Sequence, residues 1–325
     1  MKVFVSTIPF GETNSLPIEM LDEVKAKLEI NPLKRKITTE ELADSIGDAD
    51  VLIAGTEVID SRVFDKAPNL KLIARVGVGL DGVDLLEARR RGIAVTYTPD
   101  APAPAVAELT IGLMLMLARR IGISHEDIRN SEWQRHFGYR ISEMTIGIIG
   151  SGRIGSRVIR RLGAFGTPKL LINSLEKDDS IAPGLKLKWV SKGELFEKSD
   201  LISIHTPLTP STLNMIDSDA FNKMKKSAMV INTARGGIVN EADLLDALSS
   251  GKIHSAAIDV FNNEPYMGPL KDLKNCFLTS HMGSMSFDCR ERMEIEATAE
   301  AIQYAKNLAQ LRLVPQAEYD LREFL

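Results

Sequence analysis

The segment Met144–Asn173 constrains the fold of this chain more than any other stretch of its sequence. An apolar run, Thr145 to Ile149, has the length and β-branched content of a buried strand, and it ends at the sequence G-S-G-R-I-G. Apolar residues then recur at helical spacing, and a second apolar run, Leu170–Ile172, follows a turn with glycine and proline. This order predicts a βαβ unit whose glycine-rich loop joins the first strand to the helix.

The glycine-rich loop Gly150–Gly155 is typical of a site for the pyrophosphate of a dinucleotide. Gly150 permits a tight turn, Gly152 lets the backbone approach the phosphates, and Gly155 lets the helix pack against the strand. The positive end of the following helix attracts phosphate groups. Glycine-rich turns also occur in other α/β folds, but the flanking strands and the helix favour dinucleotide binding.

The choice between NAD and NADP depends on the end of the second strand, where an acidic residue usually binds the adenosine ribose. Asn173 occupies this position. Asparagine can hydrogen-bond a ribose hydroxyl, but it does not repel a 2′-phosphate as a carboxylate would. Ser174 and Lys177 could hold that phosphate, whereas the acidic residues within 176–179 oppose it and no arginine is present. Both cofactors stay open, with a slight preference for NAD.

The overall composition excludes several classes of function. The chain has 325 residues, which is enough for two domains, and a net charge of −4 without a basic stripe, so no nucleic-acid partner is expected. No apolar run approaches the roughly 20 residues that span a bilayer, and the N-terminus has no cleavable signal pattern. We therefore expect a cytoplasmic protein with no membrane partner. The two cysteines and five histidines show no disulfide or metal-ligand spacing, so no metal is predicted.

Residues 1–97 alternate short apolar runs with helical patterns, which predicts a parallel sheet with helices on both faces. Thr38 and Glu41 have the spacing of a capping box at the start of one helix, and the apolar spacing of Leu21–Leu28 is typical of another. The turn R-V-G-V-G, Arg75–Gly79, follows a predicted strand. Its backbone N–H groups could hold an anion such as a substrate carboxylate, and the pattern suits a purely structural turn equally well.

The segment Ala105–Arg120 is apolar on nearly every side of a helix, so we expect it to be buried in the core or at a subunit interface. The polar and aromatic segment Trp133–Tyr139 follows, and its Arg135 is either solvated or in contact with a ligand. Towards the C-terminus, a stripe of apolar residues predicts a helix from Ser286 to about Leu311.

Three residues that could serve hydride transfer each follow a different predicted strand: Arg235, Glu264 and His281. A dinucleotide carries the hydride, so the protein must supply a proton donor, charge stabilisation and orientation. Histidine is the natural proton donor near neutral pH, a neighbouring carboxylate favours its charged form, and arginine can clamp a carboxylate. Each residue alone suits an ordinary structural role, but their shared place at the carboxyl ends of parallel strands predicts an active site.

The sequence resembles the D-isomer-specific 2-hydroxyacid dehydrogenases from about residue 42 to residue 309. The matching segments follow the family's order and include ARVGVGLDGVD, VAELTIGLMLMLARR, TIGIIGSGRIG, SDLISIHTPLTP, VINTARGGIVN, AAIDVFNNEP and LTSHMGS. Within the family the likeness is greatest to the 3-phosphoglycerate dehydrogenase-like branch, in a short form without its C-terminal regulatory domain.

The resemblance implies an α/β protein with two doubly wound parallel-sheet domains. A Rossmann-type cofactor domain, 99–286, is expected to be inserted into a flavodoxin-like substrate domain, 1–98 and 287–325. The resemblance also implies that His281 is the acid–base residue, that Glu264 tunes it and that Arg235 binds and polarises the substrate. It further implies a homodimer through the helix at Ala105–Arg120.

The family motifs also imply two sets of binding residues. Cofactor contacts are expected at Gly150, Ser151, Gly152, Arg153, Ile154, Gly155, Asn173, Ser174, His205, Thr206, Pro207, Thr212, Thr233, Ala234, Asp259 and Gly283. Substrate contacts are expected at the backbone of Val76 and Gly77, and at Arg75 and Arg135 for a phosphate or phosphonate.

We therefore predict an oxidoreductase that transfers a hydride between NAD or NADP and a small D-2-hydroxy or 2-oxo acid. The prediction is 3-phosphoglycerate dehydrogenase-like, with a substrate that can carry a phosphate or phosphonate. Two departures from the family keep alternatives open: Asn173 replaces the usual aspartate, and D-A-P-A-P at 100–104 replaces a segment that commonly contains Asn and Gly. The alternatives are an NADPH-dependent glyoxylate or hydroxypyruvate reductase and a dinucleotide-sensing protein resembling the corepressors of this fold.

Overall fold

The structure is a computed structural model, and it describes residues 1–166, 168–306, 311–320 and 322. Two compact units make up the chain. Unit 1 consists of Met1–Pro102 and Met285–Leu325, and unit 2 consists of Ala103–Ser284, so unit 2 interrupts unit 1 in sequence. The assignment of residues 1–98 and 287–325 to a substrate domain, and of residues 99–286 to a cofactor domain, stays a prediction.

The regular elements are named here in chain order. The strands are β1 (Lys2–Val5), β2 (Lys27–Ile30), β3 (Val51–Ala54), β4 (Leu72–Arg75), β5 (Ala94–Thr96), β6 (Thr145–Ile149), β7 (Lys169–Asn173), β8 (Leu187–Trp189), β9 (Leu201–Ile204), β10 (Met229–Asn232), β11 (Ser255–Ile258) and β12 (Cys276–Leu278). The helices are α1 (Leu16–Glu23), α2 (Thr39–Ile46), α3 (Ser61–Lys66), α4 (Leu85–Arg90), α5 (Ala103–Ala118), α6 (Ile121–Arg129), α7 (Arg153–Leu162), α8 (Lys192–Lys198), α9 (Ser218–Lys223), α10 (Glu241–Ser249), α11 (Phe287–Ala305) and α12 (Gln316–Asp320).

Unit 1 contains a parallel sheet in the order β2-β1-β3-β4-β5, which is the flavodoxin-like order. The predicted capping box starts α2, because the Thr38 hydroxyl accepts from the Glu41 N–H and the Glu41 carboxylate accepts from the Thr38 N–H. The prediction of a helix through Leu28 was wrong. α1 ends at Glu23, and Leu28 lies in β2, where it pairs with Val3 of β1. Hydrogen bonding to β1 outweighs the helical spacing of the apolar residues.

Unit 2 contains a parallel sheet in the order β12-β11-β10-β9-β6-β7-β8. From β6 the chain runs outward through β7 to β8 and then returns to β9 on the other side, so the switch of direction falls between β6 and β9. This is the Rossmann arrangement. The predicted βαβ unit is confirmed as β6, α7 and β7, and the predicted fold class of two doubly wound parallel sheets is confirmed.

Apolar burial in both units follows from these parallel sheets. Central strands such as β3 and β9 are buried along their whole length, as expected where helices cover both faces. Each isoleucine or leucine buried there stabilises the fold by about 1.5–3 kcal/mol. α5 buries one face, which includes Val106 and Met114, while Glu108 and Gly112 on another face are exposed within the described chain.

The helix α11 ends at Ala305, earlier than the predicted Leu311, and residues 307–310 lie outside the described part of the chain. Within the described ranges, no helix combines the length and the apolar character that crossing a membrane requires.

Candidate active site

The candidate site of unit 2 lies along the carboxyl edge of its sheet. The strands β12, β11, β10, β9, β6 and β7 are successive neighbours and run parallel, so residues that follow them share one edge. In this order the edge carries His281, Asp259, Arg235, His205, Gly150 and Asn173. Parallel α/β sheets bind their ligands at this edge.

Each glycine in the loop after β6 is there for a different structural reason. Gly150 has a φ of 90°, a left-handed conformation that favours glycine. A Cβ on Gly155 would overlap the carbonyl oxygen of Gly150, so only glycine allows this approach of α7 to β6. Beside Gly152, the N-cap of α7, no atom of the described residues lies within 4 Å of such a Cβ. This open space at a helix N-terminus fits a phosphate group.

Two buried polar atoms next to this loop also fit a bound dinucleotide. His205 Nδ1 and Thr206 Oγ1 are buried without a hydrogen-bond partner among the described residues. Both residues follow β9, and a Cβ on Gly150 would meet the His205 carbonyl group and Thr206 Cγ2. Desolvation lowers the pKa of His205 to about 3, so its imidazole is neutral near pH 7. Since buried polar groups normally have partners, a ligand here would satisfy atoms that the described chain leaves unpaired.

The remaining predicted residues around the loop have mixed roles. Ile154 packs half-buried against the apolar core of unit 2, and Arg153 opens α7. Thr212 stabilises the loop after β9, because its hydroxyl donates to the Pro207 carbonyl at 2.8 Å and accepts from the Thr209 N–H at 2.7 Å.

The end of β7 carries the candidate ribose contacts. Asn173 Nδ2 donates to the Val190 carbonyl at 2.8 Å, so the amide keeps Oδ1 as an acceptor and its second N–H as a donor. Ser174 Oγ accepts from the Ser151 N–H at 3.3 Å, which connects the end of β7 to the glycine loop and leaves the hydroxyl proton available as a donor.

His281 and Glu264 form a hydrogen-bonded pair at the edge of the sheet. Nδ1 of His281 lies 3.0 Å from Oε1 and 2.9 Å from Oε2 of Glu264. The carboxylate also accepts from the Phe261 N–H at 3.1 Å. His281 has a φ of 51°, and its N–H donates to the Asp259 carbonyl at 2.8 Å. The pairing at Nδ1 leaves Nε2 as the nitrogen that can exchange a proton with a ligand.

The buried carboxylate of Asp259 holds the segment on both sides of His281. It accepts from the Thr279 hydroxyl at 2.6 Å, from the Met282 N–H at 2.9 Å and from the Gly283 N–H at 3.0 Å. The sequence predicted Asp259 and Gly283 as separate cofactor contacts. The structure shows them bonded to each other, which fixes the backbone that carries the histidine.

Arg235 lies in a turn that is organised by Asn232, a residue that sequence reasoning missed. The buried Asn232 amide donates to the Arg235 carbonyl at 2.8 Å and accepts from the Ala234 N–H at 3.0 Å. The neighbouring Thr233 hydroxyl lies 2.9 Å from that of Thr110 on α5. The spacing N-x-x-R at a strand end was the available signal, since asparagine commonly bonds the backbone of its own turn.

Arg75 and Arg135, the two predicted contacts for a phosphate or phosphonate, are placed very differently. Arg75 in unit 1 is only 4% exposed, and its Nε and Nη2 donate to the Gly79 carbonyl at 3.1 and 2.9 Å. The guanidinium thereby braces the turn that follows β4. Arg135 in unit 2 is exposed, within a segment that has no regular structure.

The backbone donors of Val76 and Gly77 are already used inside unit 1. The Val76 N–H donates to the Ala54 carbonyl at 2.8 Å, and the Gly77 N–H donates to the Thr98 hydroxyl at 2.8 Å. The next two residues of the turn, Val78 and Gly79, are half-exposed, and their N–H groups donate to no acceptor among the described residues. Within this turn the N–H groups of Val76 and Gly77 are thus already bonded, whereas those of Val78 and Gly79 are not bonded within the described chain.

Such a sheet, with a phosphate-binding loop at its centre and a paired histidine at its edge, is typical of dinucleotide-dependent dehydrogenases. Residues 111–283 match the family model of the D-isomer specific 2-hydroxyacid dehydrogenase, NAD binding domain. The chain is 40% identical over 266 residues to a glyoxylate reductase of Thermofilum pendens, covering 78% of both chains. It is also 40% identical to a D-3-phosphoglycerate dehydrogenase of Methanocaldococcus jannaschii, covering 78% of this chain and 49% of that protein. The crystal structure of TT0316 protein from Thermus thermophilus superposes with a TM-score of 0.86 and 33% identity, covering 97% of this chain and 100% of that one.

This chain belongs to the D-isomer specific 2-hydroxyacid dehydrogenase family, as its sequence motifs predicted. It is an oxidoreductase with an NAD-binding domain and acts on a 2-hydroxy or 2-oxo acid. Relatives named for two different substrates match it at the same identity, so the particular acid must be argued from the chemistry of the chain.

Proposed function

We propose that this chain reduces a small 2-oxo acid with an uncharged substituent, such as glyoxylate or hydroxypyruvate, to the 2-hydroxy acid. The observation that carries the chemistry is the bidentate pairing of His281 Nδ1 with Glu264. A bound nicotinamide dinucleotide supplies the hydride in this direction and accepts it in the reverse direction. Every other requirement falls to side chains and backbone N–H groups of the protein.

In this proposal Nε2 of His281 gives a proton to the carbonyl oxygen as the hydroxyl forms. Glu264 holds the ring so that Nε2 carries the mobile proton, and its negative charge stabilises the imidazolium before transfer. The left-handed backbone of His281 keeps the ring in place, because the Asp259 carbonyl accepts from the His281 N–H and the Asp259 carboxylate accepts from the Met282 and Gly283 N–H groups.

Arg235 would bind the carboxylate and polarise the carbonyl of the acid. A guanidinium can donate two parallel hydrogen bonds to a carboxylate, which fixes orientation as well as charge. The buried Asn232 amide supports this role, since it fixes the backbone from which the arginine side chain starts.

For unit 1 we propose that the N–H groups of Val78 and Gly79 form the anion-binding turn. They replace the predicted Val76 and Gly77, whose N–H groups have acceptors within the unit. The buried guanidinium of Arg75 supports the turn through Nε and Nη2, which donate to the Gly79 carbonyl.

The placement of Arg75 favours an uncharged substituent over a phosphate. A phosphorylated acid needs a second cationic site, and the sequence offered Arg75 and Arg135 for it. Arg75 is buried and bonded to the backbone, which leaves the exposed Arg135. This supports the glyoxylate or hydroxypyruvate reductase alternative, the names that several relatives carry, over a 3-phosphoglycerate dehydrogenase.

We further propose that NAD is preferred over NADP by less than an order of magnitude. Asn173 offers an acceptor to ribose without the charge that rejects a 2′-phosphate, and the Ser174 hydroxyl can donate to either cofactor. Two nearby carboxylates serve local structure, since Asp178 accepts from the Ser180 N–H at 2.9 Å and Asp179 accepts from Trp189 Nε1 at 2.7 Å. Their negative charge still opposes a phosphate.

The proposal includes a homodimer that covers the less buried face of α5. Trp133 and Phe137, which follow α6 in sequence, are 85% and 98% exposed, and large aromatic side chains at a surface are typical of protein interfaces. Light scattering after size exclusion should give twice the monomer mass, and a monomer at micromolar concentration would contradict this part of the proposal.

The test is a turnover panel that follows loss of nicotinamide absorbance. The purified chain is mixed with NADH or NADPH and with glyoxylate, hydroxypyruvate, pyruvate, phosphonopyruvate or 3-phosphohydroxypyruvate. We expect the highest kcat/KM with glyoxylate or hydroxypyruvate.

His281→Asn should lower kcat at least about 100-fold and should retain dinucleotide binding. The control His125→Asn, on the exposed surface of α6, should leave kcat unchanged. If 3-phosphohydroxypyruvate were turned over fastest, the proposed uncharged substrate would be wrong. Tight dinucleotide binding without any turnover would favour a sensing protein.

A further inference from the structure

A buried ion pair in unit 1 is not explained by the chemistry proposed above. Arg290 and Glu294 lie one turn apart on α11 and are 7% and 1% exposed. Arg290 Nε lies 2.6 Å from Glu294 Oε1. Burying two charges is costly, and apolar residues often replace such a pair without loss of stability. The hydrogen bonds that the pair makes elsewhere therefore point to what it does.

The pair holds the loop that follows β1, residues 7–14, here called the β1–α1 loop. Arg290 Nη2 donates to the Thr7 hydroxyl at 2.9 Å and to the Pro9 carbonyl. The other oxygen of the Glu294 carboxylate accepts from the Gly11 N–H at 2.8 Å. Gly11 has a φ of 72°, so this turn of the loop suits glycine.

A second contact fixes the far end of the same loop. The Asn14 side-chain amide donates to the Glu291 carboxylate on α11. The first two turns of α11 thus bond the loop at both ends through side chains. The shape of the β1–α1 loop depends on α11, and not only on the strand and helix that it connects.

The loop lies at the edge of the sheet that carries the proposed anion-binding turn of Val78 and Gly79. β1 neighbours β3, β3 neighbours β4, and all three strands run parallel, so the segments after them share the carboxyl edge. A carboxylate held at that turn would direct the rest of the acid along this edge.

We propose that the β1–α1 loop selects the substituent of the 2-oxo acid and that Arg290 is a positioning residue for it. This inference rests on the proposed function, because it takes the Val78–Gly79 turn as the anchor of the carboxylate. The loop offers the half-buried, apolar Ile8 and Pro9 and the exposed carboxylate of Glu12. No lysine or arginine occurs between residues 3 and 24. The loop therefore admits a hydrogen or hydroxymethyl substituent and repels a phosphate or a second carboxylate.

The first test reverses the charge of the loop. Glu12→Lys should raise kcat/KM for 3-phosphohydroxypyruvate relative to hydroxypyruvate about tenfold, because it removes an anion and adds a cation. Glu23→Lys makes the same change at an exposed position near the end of α1, outside the loop, and should leave the ratio unchanged. An equal ratio in Glu12→Lys, Glu23→Lys and wild type would overturn the role of the loop.

The second test removes the ion pair without leaving a lone buried charge. The double variant Arg290→Met, Glu294→Leu should keep a melting temperature close to that of wild type, while the loop loses its hydrogen bonds. We expect a rise of at least tenfold in KM for hydroxypyruvate with kcat within threefold of wild type. The single variant Arg290→Lys, which retains the charge, should show a smaller rise in KM than the double variant. A folded double variant with an unchanged KM would overturn the positioning role.

The controls separate this inference from the proposed function. If wild type reduces none of the 2-oxo acids, the proposed function itself fails. If wild type reduces hydroxypyruvate and the loop and pair variants behave like it, only the inference fails.

Discussion

Glu264 receives the imidazole of His281 through both of its carboxylate oxygens, 3.0 and 2.9 Å from Nδ1. A single hydrogen bond would leave the ring free to swing about its Cβ, whereas contact with both oxygens fixes its tautomer and its direction. The histidine is only partly buried, so Nε2 can reach a ligand from this fixed position.

Glu264→Gln should lower kcat for 2-oxo acid reduction about 100-fold, because the amide keeps the size of the side chain but loses the charge that stabilises the imidazolium. Affinity for the dinucleotide, measured by fluorescence titration, should not change. Glu197→Gln on the exposed surface of α8 is the matched control. A kcat within threefold of wild type would remove Glu264 from the mechanism.

Arg235→Lys should lower kcat/KM for glyoxylate about 100-fold, because a lysine retains the charge but loses the planar fork that binds a carboxylate through two hydrogen bonds. Steady-state kinetics provide the measurement. Arg129→Lys at the exposed end of α6 makes the same exchange away from the candidate site. Equal losses in the two variants would point to a general effect on the fold.

Replacing the two glycines at the start of α7 by alanine should have different effects, one on stability and the other on dinucleotide binding. Gly155→Ala should lower the free energy of unfolding by about 1–3 kcal/mol, because the new Cβ overlaps the Gly150 carbonyl oxygen. Gly152→Ala should fold normally and weaken dinucleotide binding at least tenfold. Its Cβ enters the open space at the N-terminus of α7, where we expect the phosphates to bind. Urea unfolding and fluorescence titration of both variants test this, and a stable Gly155→Ala protein would contradict the packing argument.

Stability without dinucleotide should fall as the pH is lowered below about 6.5. Desolvation lowers the pKa of His205 from 6.5 to about 3, so the unfolded chain binds this proton first. Each pH unit in that window costs up to about 1.4 kcal/mol. The pKa of His254 is also lowered, by desolvation and by the positive charge of Arg120.

Urea unfolding between pH 4 and pH 8 measures this effect. His205→Gln should show a shallower loss of stability below pH 6.5 than wild type, because glutamine takes up no proton. Protonation of carboxylates is common to both proteins and cancels in the comparison. Parallel curves would show that His205 takes up its proton equally readily in the folded and the unfolded chain.

Leu175→Arg should shift the cofactor preference towards NADP by about tenfold. Leu175 follows the residues that end β7 and is fully exposed, so its replacement costs no packing, and an arginine there can pair with a 2′-phosphate. Val58→Arg, at another exposed apolar position, is the control for added charge. The ratio of the dissociation constants of NADPH and NADH is the measurement, and an unchanged ratio would place the ribose away from the end of β7.

The sequence alone determined the central βαβ unit, the two parallel sheets and the edge where His281, Glu264 and Arg235 belong. These features follow from local patterns: apolar runs of strand length, helical spacing and glycines at the strand-to-helix turn. Local reasoning failed at Leu28, whose spacing suited a helix, because pairing with β1 lies outside its own window of sequence.

Only the tertiary structure decided which polar groups are free to act. The N–H groups of Val76 and Gly77 have the right chemistry for a substrate, but their acceptors, Ala54 and Thr98, come from other parts of unit 1. The Arg75 guanidinium likewise bonds the Gly79 carbonyl of its own turn. The Arg290–Glu294 pair is likewise invisible in sequence, since it bonds a loop some 280 residues earlier in the chain. A sequence shows which donors and acceptors a chain possesses, and the packing of distant segments determines which of them remain for a ligand.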